Sequence, residues 1–165
     1  MKSHFGKMAK YNAWANARLY GMARGLSDEA YRKNVGAFFG SLHGTLNHLL
    51  VTDRIWMRRF TGTGDHPAKL NAIMFDDLPS LEVARKEEDN RIVQYVDRLS
   101  AEDLGKDLDY STTSGTPQRN PLRDLLAHLF NHQTHHRGQA HMILTVLGTR
   151  EPRPLDLLAM LRQKP

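Results

Sequence analysis

Histidine is concentrated in one short stretch of this chain. Four of the nine histidines lie between positions 130 and 141, in FNHQTHHRGQAH, and His128 lies just before it. Histidine is only a middling helix former, so helix propensity does not explain this density. His132 and His136 are four positions apart, a spacing that places both rings on one face of a helix and lets them reach a single metal ion. The alternative without a metal is that His132 and His136 are hydrogen-bonded core residues. His128, His135 and His141 would then be solvated surface groups.

Helical periodicity covers most of the chain and predicts the elements that must position these histidines. Four amphipathic segments span residues 5–26, 41–60, 81–99 and 120–148, and we expect Ser80 and Asn120 to cap the last two. A short hairpin around Ser114-Gly115 within 108–119 and a short helix at 155–161 are further expectations. The pattern predicts an all-α protein, a four-helix bundle in a single domain over residues 1–165. The 61–79 connection is long enough for a crossover, so a simple up-and-down order is not required.

The helical faces indicate which histidines turn inward. At about 100° per residue, His132 and His136 lie on or beside the apolar side of the fourth predicted helix, and His141 points away. His48 lies beside the apolar side of the second predicted helix, near Thr45 and Thr52 in angle. A third metal ligand for the His132 and His136 pair must come from another helix.

A carboxylate lies in the middle of the apolar face of the second predicted helix. An unpaired buried charge at Asp53 would be costly, so we expect a partner. One hypothesis is a salt bridge with Arg91 or Arg137, and the other is that Asp53 orients a ligand histidine. Asn12 and Asn16, four positions apart on the first helix, are expected to cap or crosslink helices.

Composition excludes several classes of function. The absence of cysteine removes disulfides, thiolate metal sites and a cysteine nucleophile. No apolar run suits a signal peptide or a membrane span, so we expect a soluble cytoplasmic protein. The net charge of +5 is scattered along the chain, and nucleic acid is not an expected partner. The chain has no phosphate-binding loop, no His-Glu-x-x-His zinc-protease helix and no Glu-x-x-His di-iron pair.

Three segments resemble a known family. YNAWANARL at the start, SLHGTLNHLLVTDRIWMRRFTG in the second helix and HLFNHQTHHRGQAHMILTVLG in the fourth are similar to the DinB family of damage-inducible, metal-dependent proteins. The resemblance covers nearly the whole chain, including the closing PLDLLAMLR, and its most specific part is the His-x-x-x-His-Arg-Gly-Gln block. It implies a DinB/YfiT-like bundle with up-down-down-up order, commonly a homodimer.

The resemblance also implies a divalent metal held by three histidines. Carried over position by position, the ligands are His48, His132 and His136, and the family's acidic residue five positions beyond the first ligand is Asp53. Three neutral imidazoles leave the ion its full charge and an open position, the pattern of catalytic sites. Nitrogen ligands suit zinc, nickel, iron or copper, and affinity order alone does not choose among them.

Relatives in this superfamily use low-molecular-weight thiols, so the resemblance implies a thiol-dependent S-transferase or related transferase acting on a small-molecule substrate. A metal-dependent hydrolase is the competing enzyme class. A stress-induced protein that binds metal without turnover is the alternative outside enzymes. An acid or base near the open position would separate these classes, and the sequence offers Asp53, His135 and Gln139 as candidates for catalytic groups.

Overall fold

Helices form most of the protein. The computed structural model describes residues 1–163, with helices α1 (Lys2–Ala23), α2 (Asp28–Arg32), α3 (Leu42–Thr61) and α4 (Leu78–Arg98) in the first part of the chain. A 3₁₀ turn at Asp103–Gly105 and the strands β1 (Asp107–Ser111) and β2 (Pro117–Pro121) follow, and α5 (Leu122–Val146) and α6 (Leu157–Leu161) complete the order. The four long helices α1, α3, α4 and α5 form the predicted bundle.

Two large apolar clusters, one at each end of the bundle, form most of the core, and a third, smaller cluster contains Trp56, Leu125 and Leu129. The end of α1, the starts of α3 and α4 and the end of α5 form the first cluster, which includes Leu19, Leu46, Leu81 and Leu144. The start of α1, the ends of α3 and α4 and the start of α5 form the second, which includes Phe5, Met57, Ile92 and Leu126. Helices α1 and α5 therefore run opposite to α3 and α4, which confirms the up-down-down-up order.

A layer of buried polar side chains separates the two apolar clusters. Each long helix contributes to it, and the members are Asn12, Asn16, Asp53, Arg85, Asp89, Gln133 and Arg137. Buried charged groups are stable only when they are paired and hydrogen-bonded. The bundle is therefore held by apolar packing at its ends and by a polar network at its middle.

The starts of two helices differ from the sequence prediction. The Ser27 hydroxyl accepts a hydrogen bond from the Ala30 amide, so Ser27 begins the short helix α2, which was not predicted. For α4 the cap is Asp77, whose carboxylate accepts from the Ser80 amide, and the prediction of Ser80 as the cap is wrong. Pro79, in the first turn of α4, has no N–H to satisfy, so a proline at this position costs the helix no hydrogen bond.

The predicted hairpin is present between α4 and α5. Strands β1 and β2 pair antiparallel, with Leu108 opposite Asn120. Asn120 is therefore a strand residue whose side-chain oxygen accepts from the Tyr110 hydroxyl, and its prediction as the cap of the last long helix is wrong. Within residues 1–163, no helix combines the length and the apolar character that crossing a membrane requires.

Candidate metal centre

Three histidines from two helices converge on one point. His48 comes from α3, and His132 and His136 come from successive turns of α5. One ring nitrogen of each lies within 4.8 Å of those of the other two, and the Nε2 atoms of His48 and His132 are 3.2 Å apart. Two nitrogen ligands of a tetrahedral zinc ion, each bonded at 2.0–2.1 Å, are themselves about 3.3 Å apart. The group has the dimensions to hold a metal ion.

Hydrogen bonds orient two of these rings so that the same nitrogen faces the centre. The Nδ1 atom of His48 lies 2.8 Å from the Leu70 carbonyl oxygen, and that of His136 lies 2.7 Å from the Gln139 side-chain oxygen. Since a carbonyl oxygen only accepts, each Nδ1 carries the proton and each Nε2 keeps its lone pair. This tautomer is the one a metal ligand needs, and such outer hydrogen bonds typically accompany metal-bound histidines.

The three rings are held in the neutral form. Burial lowers the pKa of His48 from its usual 6.5 to about 4, against the opposing hydrogen bond to Leu70. Burial, with the nearby His136 and His48 rings, lowers the pKa of His132 to about 3. Burial also lowers the pKa of His136. Neutral imidazole is the metal-binding form of histidine, so the site is preset to take a cation at neutral pH.

An aromatic ring covers the side of the site next to α3. The ring of Phe39 stacks on that of His48, with centroids 3.8 Å apart and planes 20° from parallel, and meets His136 edge-on at 5.5 Å. Gly44, in the first turn of α3, permits this approach because a Cβ atom there would collide with the Phe39 carbonyl oxygen. The short turn before α3 is thereby packed against two of the three histidines.

The histidines line an open cleft of about 900 Å³. Apolar side chains from the two connections flanking α3 form much of its wall, and Phe38 at the mouth is 87% exposed. Within residues 1–163 no acidic side chain lines this cleft; its lining consists of Phe38, Phe39, Gly40, Gly44, His48, Leu70, Asn71, Ile73, His132, His135, His136 and Gln139. An organic molecule of moderate size can therefore approach the three ring nitrogens from solvent.

Two of the three predicted acid or base candidates lie at the cleft. His135 and Gln139 line it, and the Gln139 amide nitrogen lies 3.1 Å from Nε2 of His135 while its oxygen holds His136. Gln139 therefore contacts both His136, one of the three candidate metal ligands, and His135, which lies outside that group. His141 points away, as predicted, with Nε2 3.1 Å from the Arg153 carbonyl oxygen.

Asp53 is buried in the polar layer and does not line the cleft. Its carboxylate lies 2.8 Å from Arg85, which also pairs with Asp89 at 3.0 Å. The predicted salt bridge is present, but its partner is Arg85, so the expectation of Arg91 or Arg137 is wrong. Burial raises the pKa of the Asp53 carboxyl to about 7, against the opposing charge of Arg85. Arg85 is thus the group that favours the charged form.

Sequence reasoning missed Gln133, which links this ion pair to the histidines. Its amide nitrogen donates to Asp53 at 2.6 Å and to the Leu49 carbonyl at 3.0 Å. Because Leu49 follows His48 and Gln133 follows His132, the side chain ties α3 to α5 at the level of the site. A polar residue four positions beyond Leu129 on an apolar helix face was the available signal.

The two asparagines of α1 complete the polar layer. Asn12 and Asn16 both donate to Asp89, at 3.1 and 2.9 Å, and the side-chain oxygen of Asn12 accepts from Arg137. These contacts join α1 to α4 and α5. The prediction that the asparagines crosslink helices is confirmed.

Comparison with known proteins gives one consistent result. The sequence profile described as "DinB family" matches residues 1–164. The chain is 26% identical over 148 residues to Protein DinB of Bacillus subtilis (strain 168), covering 86% of this chain and 85% of that protein. A crystal structure of a DinB-like protein from Bacillus cereus ATCC 10987 superposes with a TM-score of 0.62 at 19% identity, over 81% of this chain and 86% of the other. At this level of sequence identity, the superposition shows a shared fold.

Proposed function

Because this chain belongs to the DinB family, we propose that it is a metal-dependent enzyme whose reaction is thiol-dependent S-transfer. In this proposal His48, His132 and His136 hold one divalent ion, zinc, nickel or iron, and a low-molecular-weight thiol is the co-substrate. The observation that carries it is the convergence of three neutral histidines, His48 buried and His132 and His136 half-buried, on the wall of an open cleft. A closed structural site would have four protein ligands and no access from solvent.

The lining of the cleft favours a thiol over water as the nucleophile. Water is a weak acid and hydrolysis needs a base, whereas a thiol has a pKa near 8.5 and gives up its proton far more readily. No carboxylate from residues 1–163 lines the cleft, and His135 is the one histidine there outside the ligand set. A bound divalent ion would supply the positive charge that stabilises the thiolate.

The chain's own residues have distinct roles in this transfer. The sulfur forms a bond to an electrophilic carbon of the second substrate, whose leaving group departs with the bonding electron pair. His135 takes the thiol proton on Nε2 in exchange for its hydrogen bond from the Gln139 amide, and the Gln139 oxygen holds His136 in place. The apolar wall, which includes Phe38, Phe39 and Ile73, binds the carbon skeleton and limits access of water. Asp53 acts through Gln133 on the spacing of the helices and touches no reacting atom.

The test is a conjugation assay with metal-loaded protein. Cysteine, glutathione and coenzyme A are each offered with chlorodinitrobenzene, and formation of the thioether is followed by absorbance. We expect turnover with at least one thiol, loss of turnover after chelation or in His132→Ala, and full turnover in His141→Ala. Ester cleavage without thiol consumption would instead establish the hydrolase, whose base is also His135. Binding of one metal ion per chain with neither reaction would indicate a protein that binds metal without catalysis. The homodimer, the cytoplasmic location and the induction by DNA damage stay predictions from the sequence.

A further inference from the structure

A second, smaller cavity lies on the other side of the histidine group. Its volume is about 270 Å³, and it shares His48, His132 and Leu70 with the larger cleft. Its remaining lining comes from α3, α5 and the hairpin: Thr52, Ile55, Trp56, Arg59, Tyr110, Thr112, Thr113 and His128. A ligand in the smaller cavity therefore lies against two of the three histidines, His48 and His132.

Among residues 1–163, Arg59 is the one fixed charge in the lining of the smaller cavity. Its guanidinium carbon lies 4.4 Å from the centre of the Trp56 ring and 5.2 Å from that of Tyr110. It is half-buried, and burial lowers its pKa, yet an arginine keeps its charge at any physiological pH. Stacking fixes the plane of the guanidinium and leaves its N–H edge available to a ligand.

Arg59 has no counter-charge inside the cavity. Within residues 1–163 it forms neither a salt bridge nor a hydrogen bond, in contrast to Arg85 and Arg91, whose guanidinium groups pair with carboxylates. No acidic residue of that part of the chain lines the smaller cavity. Asp109 and Arg59 both line the adjoining cavity, but the carboxylate of Asp109 lies 3.9 Å from the guanidinium of Arg119, its ion-pair partner. A half-buried guanidinium with free donors is the group that a carboxylate binds most strongly.

We propose that the smaller cavity binds a carboxylate of the substrate, through the guanidinium of Arg59. This inference rests on the proposed function and deepens it: the substrate class is a small organic acid whose reacting group reaches the three histidines while its carboxylate pairs with Arg59. One guanidinium neutralises one carboxylate, and no second cationic side chain lines the cavity within residues 1–163 to balance a phosphate dianion. The hydroxyl of Thr113, which also lines the cavity, can donate to a carboxylate oxygen.

The first test uses the metal-free protein, so that it does not depend on the metal. Acetate is titrated at constant ionic strength, and the indole N–H signal of Trp56 is followed by NMR. We expect a saturable shift of Trp56, while the Trp14 signal, whose indole bonds to Gln163 elsewhere, stays unchanged. Arg59→Met keeps the alkyl length and removes the charge, and we expect it to weaken acetate binding at least about 10-fold.

Matched variants and a second anion decide the origin of any binding. Arg58→Met removes the same charge from the neighbouring exposed position, and we expect it to bind acetate as the wild type does. Equal acetate affinity in Arg59→Met and the wild type would overturn the proposal, as would an equal loss in both variants, which would show a general charge effect. Inorganic phosphate that binds through Arg59 where acetate does not would overturn the assignment to a carboxylate.

The second test asks whether the two parts of the site act together. The protein is loaded with Co²⁺ as a spectroscopic probe, and mercaptopropionate is compared with its neutral analogue mercaptopropanol through the cobalt–thiolate absorption. We expect the carboxylate-bearing thiol to bind at least about 10-fold more tightly, and Arg59→Met to abolish that preference. If the wild type and Arg59→Met each bind the two thiols with equal affinity, the proposed carboxylate site is wrong. The metal proposal is unaffected by that result. Failure to take up Co²⁺ would remove the metal proposal, while the acetate titration still decides the role of Arg59.

Discussion

The Nε2 atoms of His48 and His132 lie 3.2 Å apart, although the two residues belong to different helices and are 84 positions apart in the chain. The hydrogen bond from Nδ1 of His48 to Leu70 leaves a lone pair on the Nε2 that faces His132. Burial disfavours protonation of either ring. Two inward-facing neutral imidazoles at this spacing form part of a site that a cation completes.

The ion pair between Asp53 and Arg85 is predicted to stabilise the fold more than it affects the metal. Arg85→Met removes the cation and leaves the buried carboxylates of Asp53 and Asp89 without their shared partner, so we expect the free energy of unfolding to fall by about 3–5 kcal/mol. Urea denaturation at pH 8, where the carboxyl is charged, measures it. The exposed Asp109→Asn is the control and should change stability by less than about 0.5 kcal/mol. Unchanged stability with a 10- to 100-fold loss of metal affinity would support the orienting role instead.

The close approach at Gly44 is predicted to be required for the packing of Phe39 on His48. Gly44→Ala places a Cβ atom against the Phe39 carbonyl oxygen, and we expect a loss of about 1–3 kcal/mol from this overpacking. Gly138→Ala, on an exposed part of α5 where a Cβ meets nothing within 4 Å, should stabilise by about 0.5–1 kcal/mol. Urea denaturation compares the two variants. Equal effects on stability would contradict the packing argument.

Gln139 is predicted to position His136 for the metal. Gln139→Ala removes the acceptor of the His136 Nδ1 proton, and we expect metal affinity to fall by 10- to 100-fold. Gln139→Glu keeps an acceptor at that place and should retain wild-type affinity or exceed it. Competition with a chromophoric chelator gives both affinities. An alanine variant as tight as the wild type would show that the hydrogen bond does not matter to binding.

The lowered histidine pKa values predict a particular pH dependence. In the folded protein without metal, His48 and His132 titrate near pH 4 and pH 3, whereas in the unfolded chain both titrate near 6.5. Between these values the unfolded chain binds more protons, so the stability of the metal-free protein falls as pH falls below about 6.5. Metal should remain bound at pH 6, because protons compete for the nitrogens of His48 and His132 only well below that and the pKa of His136 is also lowered by burial. Half-loss of metal at pH 6 would show that the rings titrate as exposed histidines.

Much of the fold follows from local pattern, whereas the ends of the helices do not. The spacing of apolar residues predicted all four long helices, and the β-prone residues around Ser114-Gly115 predicted the hairpin. The cap at Ser80 was wrong because Asp77, three positions earlier, accepts the capping hydrogen bond, and the cap at Asn120 was wrong because Asn120 belongs to β2 and its side-chain oxygen accepts from Tyr110. The choice between Asp77 and Ser80 depends on where the preceding connection delivers the chain, which periodicity does not encode.

The candidate site, like the fold, could be predicted from the sequence only in part. Histidine density and helical faces indicated His132 and His136, but the selection of His48 needed the family resemblance. Phe39 and Leu70 approach the histidines from connections between helices, whose paths depend on tertiary packing. The partner of Asp53 was missed because three long arginine side chains could reach it, and the rotation of each helix decides which one does.

The central claim is that His48, His132 and His136 together hold one divalent ion. Elemental analysis of the purified protein after equilibration with Zn²⁺ and removal of excess tests it most directly, with each histidine changed to alanine in turn and His141→Ala as the control. We predict one ion per chain in the wild type and in His141→Ala, and loss of the ion in His132→Ala and His136→Ala, with circular dichroism showing that the bundle remains folded. Retention of metal at wild-type stoichiometry in His132→Ala and His136→Ala would contradict the account.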